Sequence, residues 1–145
     1  MNKRYFILLL AIVLFSCTPQ SSTSQVYKEE NLLLAYLSKF HSNEINDSDF
    51  LLFTYRTEFI CKTCREIPLD STLKLAITDS PDKQLYILTD NQVDFEEVKK
   101  ICTENIHCII GDAHTMDLYG IPKMEPLLFE IKNQKIIRVK NWYRH

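Results

Sequence analysis

Short apolar runs of strand length alternate with longer stretches of helical period along most of this chain, and that alternation limits its fold more than any other feature. In residues 26–42, Leu33, Tyr36, Leu37 and Phe40 recur at helical spacing before the polar stretch 43–49. Phe50-Leu51-Leu52-Phe53-Thr54-Tyr55 is apolar and aromatic, the pattern of a buried strand. Residues 69–78 fit either a strand or a helix resuming after Pro68, and are read as helix. Residues 83–89 supply a second strand around Leu85-Tyr86-Ile87-Leu88. Asp94 is expected to cap a helix running through Phe95, Val98 and Ile101 to about Asn105. Cys108-Ile109-Ile110 reads as a third strand, and 113–119 as a helical turn stopped by Gly120. Residues 127–131 and 135–139, joined through Asn133-Gln134, read as a β-hairpin. The order α-β-α-β-α-β-α-β-β predicts an α/β domain with helices on both faces of a mixed central sheet, its first strands parallel and its last antiparallel.

The first residues follow another pattern. Met-Asn-Lys-Arg precedes an apolar run over 5–15, followed by Ser16-Cys17-Thr18-Pro19. A basic start, an apolar stretch and a small residue before the cut describe a secretory signal over 1–16. The run is about half of the roughly twenty residues a spanning helix needs. Leu14-Phe15-Ser16-Cys17 resembles the lipobox of bacterial lipoproteins, which implies that Cys17 is diacylated and becomes the mature N-terminus. The remaining polar residues up to Gln25 read as a flexible tether, leaving 26–145 as one domain. These readings predict an extracytoplasmic protein, lipid-anchored on the periplasmic face or in an outer membrane.

Composition narrows the function. The chain has 17 basic and 19 acidic residues, and Lys3 and Arg4 leave with the signal. An acidic remainder excludes the basic face of a nucleic-acid-binding protein. Two glycines cannot build a glycine-rich phosphate loop. Five cysteines are present, and with Cys17 lipidated the remaining four invite disulfides in an oxidising compartment.

Cys61-Lys62-Thr63-Cys64 follows a strand and opens a predicted helix. The unpaired N–H groups of a first helical turn favour a thiolate, and Lys62 and Arg65 add positive charge. A thiolate at Cys61 attacks a partner disulfide, and Cys64, one turn on, attacks the mixed disulfide and releases the partner. The alternatives are a permanent disulfide or half of a zinc site. A four-thiolate zinc site would draw in Cys102 and Cys108, whose spacing is long for zinc ligands. Cys102 and Cys108 are expected to form a structural disulfide stapling a helix end to a strand start, with a second redox relay as the other reading. His107 beside Cys108, and His114 further on, raise copper handling as a further alternative.

The strand 50–55, the Cys61/Cys64 pair with its helix, and the later segment Tyr119-Gly120-Ile121-Pro122-Lys123-Met124-Glu125-Pro126-Leu127-Leu128-Phe129-Glu130-Ile131 together resemble the thioredoxin-like superfamily. The likeness spans roughly 48–140 and is strongest to the membrane-tethered thiol–disulfide proteins of the TlpA and ResA kind. It implies a three-layer α/β/α sandwich whose mixed central sheet ends in an antiparallel hairpin, with Cys61 attacking and Cys64 resolving. It also implies a cis proline facing the cysteines, a role that falls on Pro126 with Glu125 before it. Tyr55 stands where that family carries a buried acid. The resemblance implies a reductant of extracytoplasmic cysteine-containing proteins, fed by a partner dithiol, with no organic cofactor and no resident metal. The rival from another class is a non-catalytic binding lipoprotein whose cysteine pairs are permanent staples.

Overall fold

The computed structural model describes residues 30–56, 69–123 and 126–141. The expected signal peptide over 1–16, Cys17, the expected tether, Cys61, Cys64 and Glu125 lie outside the described residues. The elements run α1 (Glu30–Phe40), β1 (Asp49–Tyr55), α2 (Leu69–Asp79), β2 (Gln84–Thr89), α3 (Gln92–Lys99), β3 (Ile106–Ile110), α4 (Ala113–Leu118), β4 (Leu127–Lys132) and β5 (Lys135–Asn141). Five strands form one sheet in the order β3-β2-β1-β4-β5. β1 pairs with β2 in parallel, and β2 with β3, whereas β4 runs antiparallel to both β1 and β5. The mixed sheet and the α/β class read from the sequence are therefore those of the fold.

Alternation along the strands sorts the core into two layers. Phe50, Leu52, Tyr86, Leu88, Ile109, Leu127, Phe129 and Ile131 form one cluster with Leu33, Tyr36 and Leu37 of α1 and Met116 of α4. Leu51, Phe53, Leu85, Ile87 and Leu128 face the other way, against Leu73 and Ala76 of α2 and Val98 of α3. β1 is central and covered on both sides, which is why its sequence is an unbroken apolar run rather than an alternating one. Leu52 is wholly buried, so truncation to Ala there would cost about 2–5 kcal/mol.

Local chemistry sets the ends. Asn133 and Gln134 both adopt positive φ, 50° and 58°, as a two-residue turn of type I′ requires. Gly120, at φ 67°, ends α4 where a side chain would be disfavoured. Glu30 accepts a bond from the Ile136 amide at 2.9 Å, so α1 covers part of the edge of β5.

Three boundaries around α3 and β3 differ from expectation. The cap of α3 is Asn91, not Asp94: the Asn91 side chain accepts from the Asp94 amide at 2.9 Å, and its own amide donates to Asp94 Oδ2 at 2.8 Å. The helix also stops at Lys99 rather than near Asn105. A reciprocal backbone pair between Thr103 and Ile106, both bonds 3.2 Å, turns the chain there, and β3 starts at Ile106 instead of Cys108. Hydrophobic period alone cannot see a turn closed by its own backbone.

Candidate functional site

The parallel strands β1, β2 and β3 all end on one edge of the sheet, where chains of this architecture usually place their chemistry. Arg56, Asp90 and Gly111 are the first residues beyond those strands. β4 starts from the same edge, because Thr54 stands opposite Leu127 in the β1–β4 register. The segment bearing Cys61 and Cys64 follows Arg56 directly.

Arg56 organises this edge although it is 3% exposed. Its Nε donates to Asp90 Oδ2 at 2.6 Å. Nη1 donates to the Ile121 carbonyl at 2.6 Å, and Nη2 to Asp117 Oδ1 at 2.8 Å. Asp90 Oδ1 in turn accepts from the Asn91 side-chain amide at 3.0 Å. A buried guanidinium is tolerable only when its charge is matched and its donors are bonded, and both conditions hold here. Asp117 lies nearer the rim and also pairs with Lys123. The bonds from Lys123 and then Arg56 hold its carboxyl below the usual range.

Two residues before Arg56, the Thr54 hydroxyl accepts from the Leu127 amide at 3.3 Å and lies 3.4 Å from the Leu127 carbonyl. Pro126, just before Leu127, is buried. Of the residues expected to act at this edge, Pro126 is thus described and stands at the start of β4. Its proposed partner Glu125, and with it the peptide bond between them, lies outside the described residues. Tyr55 stacks on Phe53, ring centroids 6.3 Å apart, on the α2 side of the sheet.

Behind the edge, the Tyr36 hydroxyl approaches Gly111 so closely that a Cβ there would collide with it. It also lies 3.1 Å from His41 Nε2, while His41 Nδ1 is 2.5 Å from Glu44. Burial, reinforced by the Asp112 carboxylate, pushes the Tyr36 phenol up to about 12.

Cys102 and Cys108 are joined in a disulfide, Cα atoms 6.3 Å apart. The bridge ties the residues after α3 to β3. Its sulfurs lie 3.4 and 3.5 Å from the Val98 carbonyl oxygen. Electron density at a helix C-terminus disfavours a thiolate, the reverse of a helix N-terminus. The position suits a staple, and in this state neither sulfur is a thiolate available to zinc. His107 stacks on Tyr86 at 4.9 Å and bonds Gln84 at 3.0 Å, while His114 is exposed on α4. Among the described residues no cluster of three or more His, Cys, Asp or Glu is arranged to hold a metal ion.

No family model, no curated protein and no solved structure matches this chain. The residues that build the edge must therefore speak for themselves, and the sequence reading passed over three of them. Arg56 and Asp90 each end an apolar strand with a charge, and opposite charges closing two neighbouring parallel strands were the available signal. Thr54 gave none, because a threonine inside a strand is ordinary.

Proposed function

We propose that this chain is a lipid-anchored, extracytoplasmic thiol–disulfide oxidoreductase of thioredoxin-like architecture, acting as a reductant of partner proteins. The observation that carries the reading is the strand order. β1, which runs into Cys61-x-x-Cys64, lies between β2 and the antiparallel β4, and Pro126 opens β4 beside the end of β1. The segment that carries the cysteine pair thereby leaves the sheet at the edge where Pro126, about sixty residues later in sequence, leads back into it, and this supports the reading. In the reaction, the Cys61 thiolate attacks the partner disulfide, forms a mixed disulfide and releases one partner thiolate. Cys64 then attacks the Cys61 sulfur, releasing the second partner thiolate and leaving Cys61–Cys64 oxidised. Two electrons pass to the partner, and a donor dithiol restores the pair.

The signal peptide and Cys17 supply the location, with 18–25 as the tether. Cys17→Ser should release the protein from membranes, and retention would refute the anchor. For the chemistry, Cys64→Ser should accumulate mixed disulfides through Cys61 on non-reducing gels. The native pair should titrate reversibly at roughly −120 to −270 mV. A pair that resists reduction to below about −300 mV would be a staple, and the protein a binding lipoprotein instead.

A further inference from the structure

Thr54 and Arg56 sit two positions apart at the end of β1 and grip opposite ends of the same connection. Arg56 Nη1 bonds the carbonyl of Ile121, and the Thr54 hydroxyl bonds the amide of Leu127. Residues 121–127 link α4 to β4 and contain Pro126. Arg56 is itself fixed from two further directions, by Asp90 at the end of β2 and Asp117 on α4. Position in the sheet therefore passes from β1 and β2 to this connection through side chains, beyond what strand pairing at Leu127 supplies. Pairing alone would hold only one end.

Resting on the exchange reaction proposed above, we propose that Thr54 and Arg56 are positioning residues that clamp the 121–127 connection, setting Pro126 as a docking element for extended peptide substrates. A residue that orients a docking surface changes how well a peptide is held more than how fast bound peptide reacts, so its loss falls on KM rather than kcat.

The test uses the full chain with a glutathionylated decapeptide as substrate and dithiothreitol as electron donor. Thr54→Val, close in shape but lacking the hydroxyl, should raise KM for the peptide about fivefold, the size of one lost hydrogen bond, with kcat changed less than twofold. Thr54→Ser should restore the native KM. Arg56→Lys, which keeps the charge but not the fork, should act in the same direction. An unmoved KM in a folded variant, or equal losses in kcat and KM, would overturn the clamp. If the parent chain cannot reduce the peptide, or Cys61→Ser reduces it equally fast, the exchange reading itself fails. Hydrogen exchange then judges the clamp separately. Arg56→Lys should speed exchange of the Gly120 and Ile121 amides while leaving that of Ile87 in β2 unchanged. Equal protection in both chains would overturn it.

Discussion

Arg56 Nε lies 2.6 Å from Asp90 Oδ2, with the two side chains only 2% and 1% exposed. The two residues are the first beyond neighbouring parallel strands, so the sheet register brings their charges together without help from the intervening chain. Such a pair costs desolvation on both sides, and the Coulombic gain offsets this only because the remaining groups are bonded. Removing Arg56 leaves the buried Asp90 carboxylate without its ion-pair partner, and removing Asp90 leaves Arg56 with Asp117 at the rim as its counter-charge. Asp90→Asn should destabilise the protein by about 3–5 kcal/mol, read from urea unfolding. Arg56→Met combined with Asp90→Leu should cost less than Arg56→Met alone, because no unpaired carboxylate remains. A double variant as unstable as the sum of the singles would show that the two charges do not act as a pair.

Gly111 follows β3, where the Tyr36 hydroxyl and the Met116 side chain close over the backbone. A Cβ at this position would meet the hydroxyl and come within 2.7 Å of Met116 Sδ. Both groups belong to buried residues with no exposure to spare, so neither can swing aside freely. Gly111→Ala should therefore cost about 1–3 kcal/mol by overpacking. Met116→Ala in the same chain should recover part of that loss. Thermal unfolding of the single and double variants checks both.

Much of the fold was legible because its signals are local or periodic. The apolar run of β1 announced a strand covered on both faces, and Asn133-Gln134 announced the hairpin turn that the backbone confirms at positive φ. α2 was ambiguous on pattern and proved helical. The missed end of α3 depended on the Thr103–Ile106 backbone pair, which leaves no mark in side-chain period. At the candidate site, the Arg56 network was not legible in the sequence. Its partners come from sequence positions 34, 61 and 65 residues away, and only strand order makes them neighbours.

The Cys102–Cys108 bridge encloses a short loop that backbone bonds already shape. Chain-entropy reasoning gives such a closure about 2–3 kcal/mol. Cys102→Ser with Cys108→Ser should lower stability by that amount and leave the helical and strand signals of circular dichroism in place. With Val98's carbonyl oxygen against the sulfurs, the bridge should also stay oxidised across the range of roughly −120 to −270 mV in which exchange pairs cycle. Mass spectrometry after alkylation at fixed potentials reads this directly. Labelling of Cys102 and Cys108 inside that range would make them a second redox couple.

Alkaline titration tests the packing of the α1-side core layer around its two phenols, Tyr36 and Tyr86. Burial and then the Asp112 carboxylate push Tyr36 up to about 12, and burial with a 2.7 Å bond to Asp47 pushes Tyr86 up to about 12. A tyrosine in the unfolded chain ionises near 10. With the folded value above the unfolded one, each phenol contributes stability that is complete below about pH 10 and lost as pH rises through about 12. Ultraviolet difference titration should thus show two phenols ionising only as the protein unfolds. Asp47→Asn removes the acceptor charge beside Tyr86 alone, so it should bring one of these two ionisations down toward 10 and leave the other where it was. If both moved together, the Asp47 bond would not be what distinguishes Tyr86.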